Sequence, residues 1–131
     1  MSAPLVILAT GGTGGHMFPA EALAGVLAER GYRLALITDH RGDAFSGVLG
    51  DLDTYRIRAG GLAGKNLISM LLSSSELAIG LIQARILLRK LAPQMVIGFG
   101  GYASVPTMLA AVFSGFAAAI HEQNAVLGRA N

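Results

Sequence analysis

Twice in this chain an apolar run passes through a glycine-rich turn into a helical pattern, first at Gly11-Gly12-Thr13-Gly14-Gly15-His16 and again at Gly98-Phe99-Gly100-Gly101-Tyr102. A strand, a turn and a helix in that order form the repeating unit of a parallel α/β sheet. Leu5, Val6, Ile7 and Leu8 read as a buried strand, and from about Met17 the apolar spacing becomes helical, with Leu23, Val26 and Leu27 on one face. Pro19 fits a first helical turn, where a missing N–H is no loss. Glycines admit positive φ and close backbone approach, while a helix N-terminus offers unpaired N–H groups and about half a positive charge. Phosphate or diphosphate is the ligand that suits such a junction; a tight turn whose glycines serve packing alone is the alternative.

Two better-known phosphate loops do not match. A P-loop requires Lys and Ser/Thr after its last glycine, whereas Gly15 is followed by His16. The dinucleotide fingerprint, counted from Gly12 and Gly14, requires a third glycine where Met17 stands. Gly31 reads as the first helix's C-cap, and Arg33 to Thr38 as a second strand ended by Asp39. Asp39 is placed either to bind a ribose hydroxyl or to begin a polar loop. A loop with one helical turn follows, and Asp51-Leu52-Asp53 resembles a short Asp-x-Asp cation motif, read against solvated turn residues before a strand at Thr54 to Arg58.

Gly60, Gly61, Gly64 and Lys65 make a further loop, and a long helix extends from there to about Lys90. Its apolar residues form two stripes, one of Ile68, Leu72, Ile79, Ile82 and Ile86, the other of Met70, Leu77, Leu81 and Leu88 on nearly the opposite side. One stripe covers a sheet. The second, here taken as the one with Leu77 and Leu81, suits either an anionic membrane surface, with Lys65, Arg85, Arg89 and Lys90 nearby, or burial within a larger protein. Ser73, Ser74, Ser75, Glu76, Gln83 and Arg85 interrupt the segment too often for a membrane span. Pro93 stops the helix; Gln94 to Phe99 is a strand, Thr107 to Phe113 a helix, and Ala117 to Ile120 a short buried strand ending in His121-Glu122-Gln123-Asn124. That tetrapeptide begins like a zinc-binding His-Glu-x-x-His, but Ala125 replaces the second His, so no metal is expected.

The 131 residues suit one domain. At 53% hydrophobic and 14% charged, the chain is apolar enough to suggest surface kept for a partner or membrane. A net charge of +2, without basic clusters interleaved with aromatics, excludes a nucleic-acid groove. The absence of cysteine excludes disulfides and thiolate metal sites. The N-terminus runs into a strand without a basic n-region, so no signal peptide is expected and the cytoplasm is the default. The fold expected is a five- or six-stranded parallel sheet, doubly wound, with helices on both faces.

Three segments taken together, Gly-Gly-Thr-Gly-Gly-His16-x-x-Pro-Ala, Gly98-x-Gly-Gly-Tyr102-x-Ser-x-Pro106 and His121-Glu-Gln-Asn124-Ala-x-x-Gly128-x-x-Asn131, resemble the MurG family, the bacterial N-acetylglucosaminyltransferases that convert lipid I to lipid II in peptidoglycan synthesis. The resemblance implies the Rossmann-like, acceptor-side N-terminal half of a two-domain GT-B glycosyltransferase. Since the sequence stops at Asn131, the donor-binding second domain is expected to be missing and the chain inactive alone. By the same resemblance the partners are UDP-N-acetylglucosamine (UDP-GlcNAc), lipid I and the anionic cytoplasmic face of the inner membrane, and no cofactor is needed. His16 is the implied base, with direct proton transfer weighed against a role in orienting the loop or donating to phosphate. Gly11, Gly12, Thr13, Gly14, Gly15, Gly100 and Gly101 would hold the diphosphate. Tyr102 would line the acceptor sugar, Asn124 the donor sugar, and Glu122 and Gln123 neighbour it. Leu77, Leu81, Arg85 and Arg89 would form the membrane patch. Two other readings remain open: a non-catalytic nucleotide- or dinucleotide-binding module using Gly12, Gly14 and Asp39, and an interaction protein docking through the two-faced helix.

Overall fold

The computed structural model describes residues 3–11, 14–39, 47–59 and 67–122, with backbone alone at 14–16, 67–73 and 102. Five strands, β1 (Leu5–Ala9), β2 (Arg33–Asp39), β3 (Asp53–Ile57), β4 (Met95–Gly98) and β5 (Ala118–Ile120), form one sheet in the order β3-β2-β1-β4-β5. Every neighbouring pair is parallel. Among the described residues four helices connect them: α1 (Gly14–Glu29), the short α2 (Gly47–Gly50), α3 (Leu67–Leu91) and α4 (Val105–Phe113).

Alternation along β1 divides the core. Leu5 and Ile7 point to one face and pack with Ala84 and Leu88 of α3 and Ala110 and Ala111 of α4. Val6 and Leu8 point to the other, against Ala20 and Ala24 of α1 and Leu49 of α2. Both faces are thus covered, which explains why β1 is an unbroken apolar run rather than an alternating one. The expected doubly wound parallel sheet is the fold observed.

Three details differ from the sequence reading. Helix α1 begins at Gly14, within the glycine stretch, so Pro19 lies in its second turn rather than its first. Its sheet-facing residues are Ala20 and Ala24, flanked by Met17, Leu23 and Leu27; Val26, about 200° around the helix from Ala24, is exposed. Strand β5 was expected to be buried, yet all its residues are exposed because it forms the sheet's edge.

The largest correction concerns α3. Leu88 is buried, Leu81 packs against the core and Leu77 is half-buried, while Ile79, Ile82 and Ile86 are 39%, 60% and 64% exposed. The stripe containing Leu77 and Leu81 therefore faces inward, opposite to its expected orientation. Periodicity locates two apolar stripes but cannot rank them. The inward side carries Gly80 and Ala84, whose small size lets α3 approach β3 and α4 closely; the β-branched isoleucines on the other side would hold it away. Arg85, Arg89 and Lys90 are exposed. The helix ends at Leu91, and Ala92 takes a left-handed conformation (φ 48°) before the buried Pro93.

Truncating the two stripes separates these orientations. Leu88→Ala should lower the unfolding free energy by about 2–5 kcal/mol through the cavity it leaves, and Ile86→Ala by less than about 1 kcal/mol, measured by urea denaturation.

Candidate functional site

The strand order places β1 beside β4, although the chain visits β2 and β3 between them. From β1 the chain winds through α1 towards β2 in one direction; from β4 it winds through α4 towards β5 in the other. Between the carboxyl ends of β1 and β4 the sheet's winding therefore reverses, and α1 and α4 leave on opposite faces. A crevice opens where this happens, and open α/β sheets bind ligands there.

Both glycine turns leave from that edge. The ladder Val6↔Met95 to Ala9↔Gly98 continues with the Phe99 N–H donating to the Ala9 carbonyl at 2.9 Å. Gly11 and Gly100 therefore follow adjacent strands, about 4.8 Å apart in the hydrogen-bonding direction. Gly100 and Gly101 have φ of 92° and 80°, a left-handed pair that side-chain-bearing residues adopt only with strain. A 3-10 turn, Tyr102–Ser104, follows, with both the Ser104 N–H (3.1 Å) and its Oγ–H (2.8 Å) donating to the Gly101 carbonyl. Having turned back to Gly101, the Ser104 side chain does not cap α4. The 3-10 turn runs straight into α4, whose second residue, Pro106, carries no N–H, and α1 begins at Gly14 on the adjacent strand's turn. Two helix N-termini with their partial positive charge thus meet at one crevice.

Strand β5 adds a third segment to this edge. The His121 N–H donates to the Gly98 carbonyl at 2.8 Å, and the His121 ring lies against Phe99 with centroids 5.6 Å apart and planes at 34°. Phe99 is 1% exposed and belongs to the cluster under α1, so its ring joins the second glycine turn to the helix of the first. Glu122 is half-buried beside His121.

The structure brings together Gly11, Gly14, Gly15, Gly100, Gly101 and Glu122 at the carboxyl edge. His16 lies in the first turn of α1 and Tyr102 opens the 3-10 turn, both placed there by backbone. Gly12, Thr13, Gln123 and Asn124 fall outside the described residues. Asp39 is the last residue of β2, as expected, and is buried; its carbonyl accepts from Arg56 Nη1 at 2.8 Å, and the loop expected after it lies outside the described residues. Met17, in place of a third fingerprint glycine, packs against the core. Asp51 and Asp53 are exposed at the amino end of β3, the sheet edge opposite the glycine turns. Among the described residues no group of three or more His, Asp or Glu side chains could hold a metal ion.

Sequence reasoning gave no role to three buried polar residues that flank the turns, although Ser104 stood in its second motif and Thr107 at its helix start. Thr10 follows β1 and donates its hydroxyl to the Gly11 carbonyl at 3.1 Å. Ser104 holds the second turn as above, and Thr107, in the first turn of α4, has a hydroxyl with no hydrogen-bond partner among the described residues. A Ser before a helix that opens with Pro was the signal available for Ser104.

Five parallel strands with two glycine turns at the switch point define a Rossmann-like domain. Residues 6–131 match the glycosyltransferase family 28 N-terminal domain, and the chain belongs to that family. It is 66% identical over 128 residues, covering 98% of its length, to a UDP-N-acetylglucosamine–N-acetylmuramyl-(pentapeptide) pyrophosphoryl-undecaprenol N-acetylglucosamine transferase of Paramagnetospirillum magneticum. The protein of the same description from Rhodospirillum rubrum is 61% identical over 132 residues, covering the whole chain. The chain spans 34% of the length of both relatives. The crystal structure of Acinetobacter baumannii MurG superposes with a TM-score of 0.81 at 31% identity, over 98% of this chain and 38% of that one. The calicheamicin glycosyltransferase CalG4 shares the fold at a TM-score of 0.61 and 19% identity, over 92% of this chain and 32% of its own.

Because Gly101 holds a left-handed φ, Gly101→Ala should cost about 1–2 kcal/mol, read as a lowered urea midpoint.

Proposed function

We propose that this chain is the acceptor-binding half of an inverting glycosyltransferase that moves N-acetylglucosamine from UDP-GlcNAc to lipid I, giving lipid II. The observation that carries this reading is the convergence of two glycine turns and two helix N-termini at one switch point, in a chain 61–66% identical to proteins so described. Gly11, Gly12, Thr13, Gly14 and Gly15, with Gly100 and Gly101, bind the acceptor diphosphate through backbone N–H groups. They supply positive potential without requiring a cofactor. A second, donor-binding domain completes the site above this edge.

The reaction joins the acceptor's C4 oxygen to the anomeric carbon of the donor sugar as the bond from that carbon to UDP breaks, with inversion. The acceptor hydroxyl proton must leave as its oxygen attacks. His16 takes it: the first turn of α1 holds its backbone at the crevice, and imidazole titrates near neutral pH. Tyr102 lines the acceptor sugar, and Asn124, with Glu122 and Gln123 beside it, the donor sugar. In a two-domain enzyme carrying this chain, His16→Ala should lower kcat by about 10²–10⁴-fold with little change in lipid I binding, measured by transfer of radiolabelled GlcNAc.

Lipid I is held in a membrane, and the exposed face of α3 supplies the contact. Ile79, Ile82 and Ile86 present apolar surface, and Arg85, Arg89 and Lys90 present positive charge, the combination that lies on an anionic bilayer. No helix among the described residues is long and apolar enough to cross the membrane, so the association proposed is peripheral, on the cytoplasmic leaflet. Replacing Ile82 and Ile86 together with Asp should weaken binding to phosphatidylglycerol-containing vesicles at least about tenfold in a sedimentation assay. Retention of wild-type binding by this variant overturns the assignment of that face.

A further inference from the structure

Helix α3 touches the rest of the domain at one point where no side chain fits. Gly80 is buried, and a Cβ built on it would overlap the Arg58 carbonyl oxygen, stand 2.8 Å from the Arg58 carbonyl carbon and reach 3.4 Å from Pro106 Cβ. The obstacle at Arg58 is main chain at the end of β3, so no rotamer change relieves it. One turn further, the Arg58 N–H donates to Gln83 Oε1 at 2.8 Å. Close approach at Gly80 and this hydrogen bond together fix how far α3 slides along, and stands off from, the carboxyl edge of the sheet.

Both sides of this contact lead to parts of the proposed site. On α3, Gly80 and Gln83 lie directly beside Ile79 and Ile82, which with Ile86 form the exposed stripe. On the domain side, Pro106 stands in the first turn of α4, immediately after the Gly100–Gly101 turn and its 3-10 continuation. The ridge Gly80-Ala84-Leu88 then carries the same packing down the helix, with Ala84 and Leu88 in the cluster shared with Ala110 and Ala111. The contact therefore links the stripe to the helix that follows the second glycine turn.

We propose that Gly80, supported by Gln83, is a positioning residue that sets the height of the Ile79–Ile82–Ile86 stripe relative to the second glycine turn, so that this turn meets a diphosphate lying at a membrane surface. This inference rests on the membrane-bound acceptor reading above. The physical reason is that a lipid-linked diphosphate is joined directly to its hydrocarbon chain and stays at the level of the headgroups. If α3 sets the depth at which the domain rests, the turn must lie at a matching level. A Cβ at Gly80 displaces α3 by roughly 1 Å or more, and misplacements of that size cost up to about 10²-fold in rate. An acceptor free in solution has no fixed level to match.

The test compares two acceptors in the two-domain enzyme: lipid I in phosphatidylglycerol-containing vesicles, and a short-chain, water-soluble lipid I analogue. Gly80→Ala is expected to lower kcat/KM for the vesicle-embedded acceptor at least about tenfold while leaving that for the soluble analogue within about twofold. Gln83→Met should show the same selectivity to a smaller degree, and Gln83→Glu, which keeps an acceptor oxygen, should restore it. Equal losses on both acceptors, or no loss on either, overturn the proposal. Should Gly80→Ala fail to fold, the Gln83 pair decides by the same criterion. The Ile82→Asp/Ile86→Asp variant identifies the failing premise. If it loses the vesicle acceptor while Gly80→Ala and Gln83→Met do not, only the positioning role falls; if it uses both acceptors as the wild type does, the membrane reading falls with it.

Discussion

The site depends on the pairing of β1 with β4. Because these strands are neighbours in space but separated in sequence by two strands and three helices, the helices that follow them must leave on opposite faces of the sheet. A right-handed crossover on each side admits no other arrangement. The two glycine turns leave from adjacent strands, and α1 and α4 begin at that junction. Were β4 placed at the far edge beside β3, each glycine turn would still exist, but the two would not share a crevice.

The net charge is +2, and Arg85, Arg89 and Lys90 are exposed on α3. Peptide dipoles at the N-termini of α1 and α4 contribute positive potential at that crevice. Such potential is fixed in direction and needs no reorganisation when the ligand arrives. Holding that geometry falls to small, buried contacts: Thr10 on Gly11, Ser104 on Gly101, and Phe99 between α1 and His121.

The high apolar content has two destinations. A parallel sheet covered on both faces takes up strands such as Leu5–Ala9 entirely. The rest is surface: the isoleucines of α3, and a groove where Val105, Met108, Leu109 and Val112 of α4 meet the edge strand β5. Alanines and glycine on the inner side of the helices make the first destination possible, because close helix–sheet packing needs little side-chain volume at the contact.

Strand and helix identities were legible in the sequence because strand runs, glycine turns and Pro93 are local signals. All five strands, the three longer helices and the two glycine junctions were placed to within a few residues, and the family resemblance rested on those same turns. What the sequence could not rank were choices between equal local patterns. The two stripes of α3 have similar hydrophobicity, and only the close approach of Gly80 to Arg58 and Pro106, across more than twenty residues of chain, turns Leu77 and Leu81 inward and the isoleucines outward. The buried pattern of β5 likewise said nothing of its place at the edge, since burial depends on what stands beside a strand. The sequence by itself determined which elements form and where the glycine turns fall; tertiary structure alone decided which faces meet and which remain outside, because packing is a relation between segments that no local pattern contains.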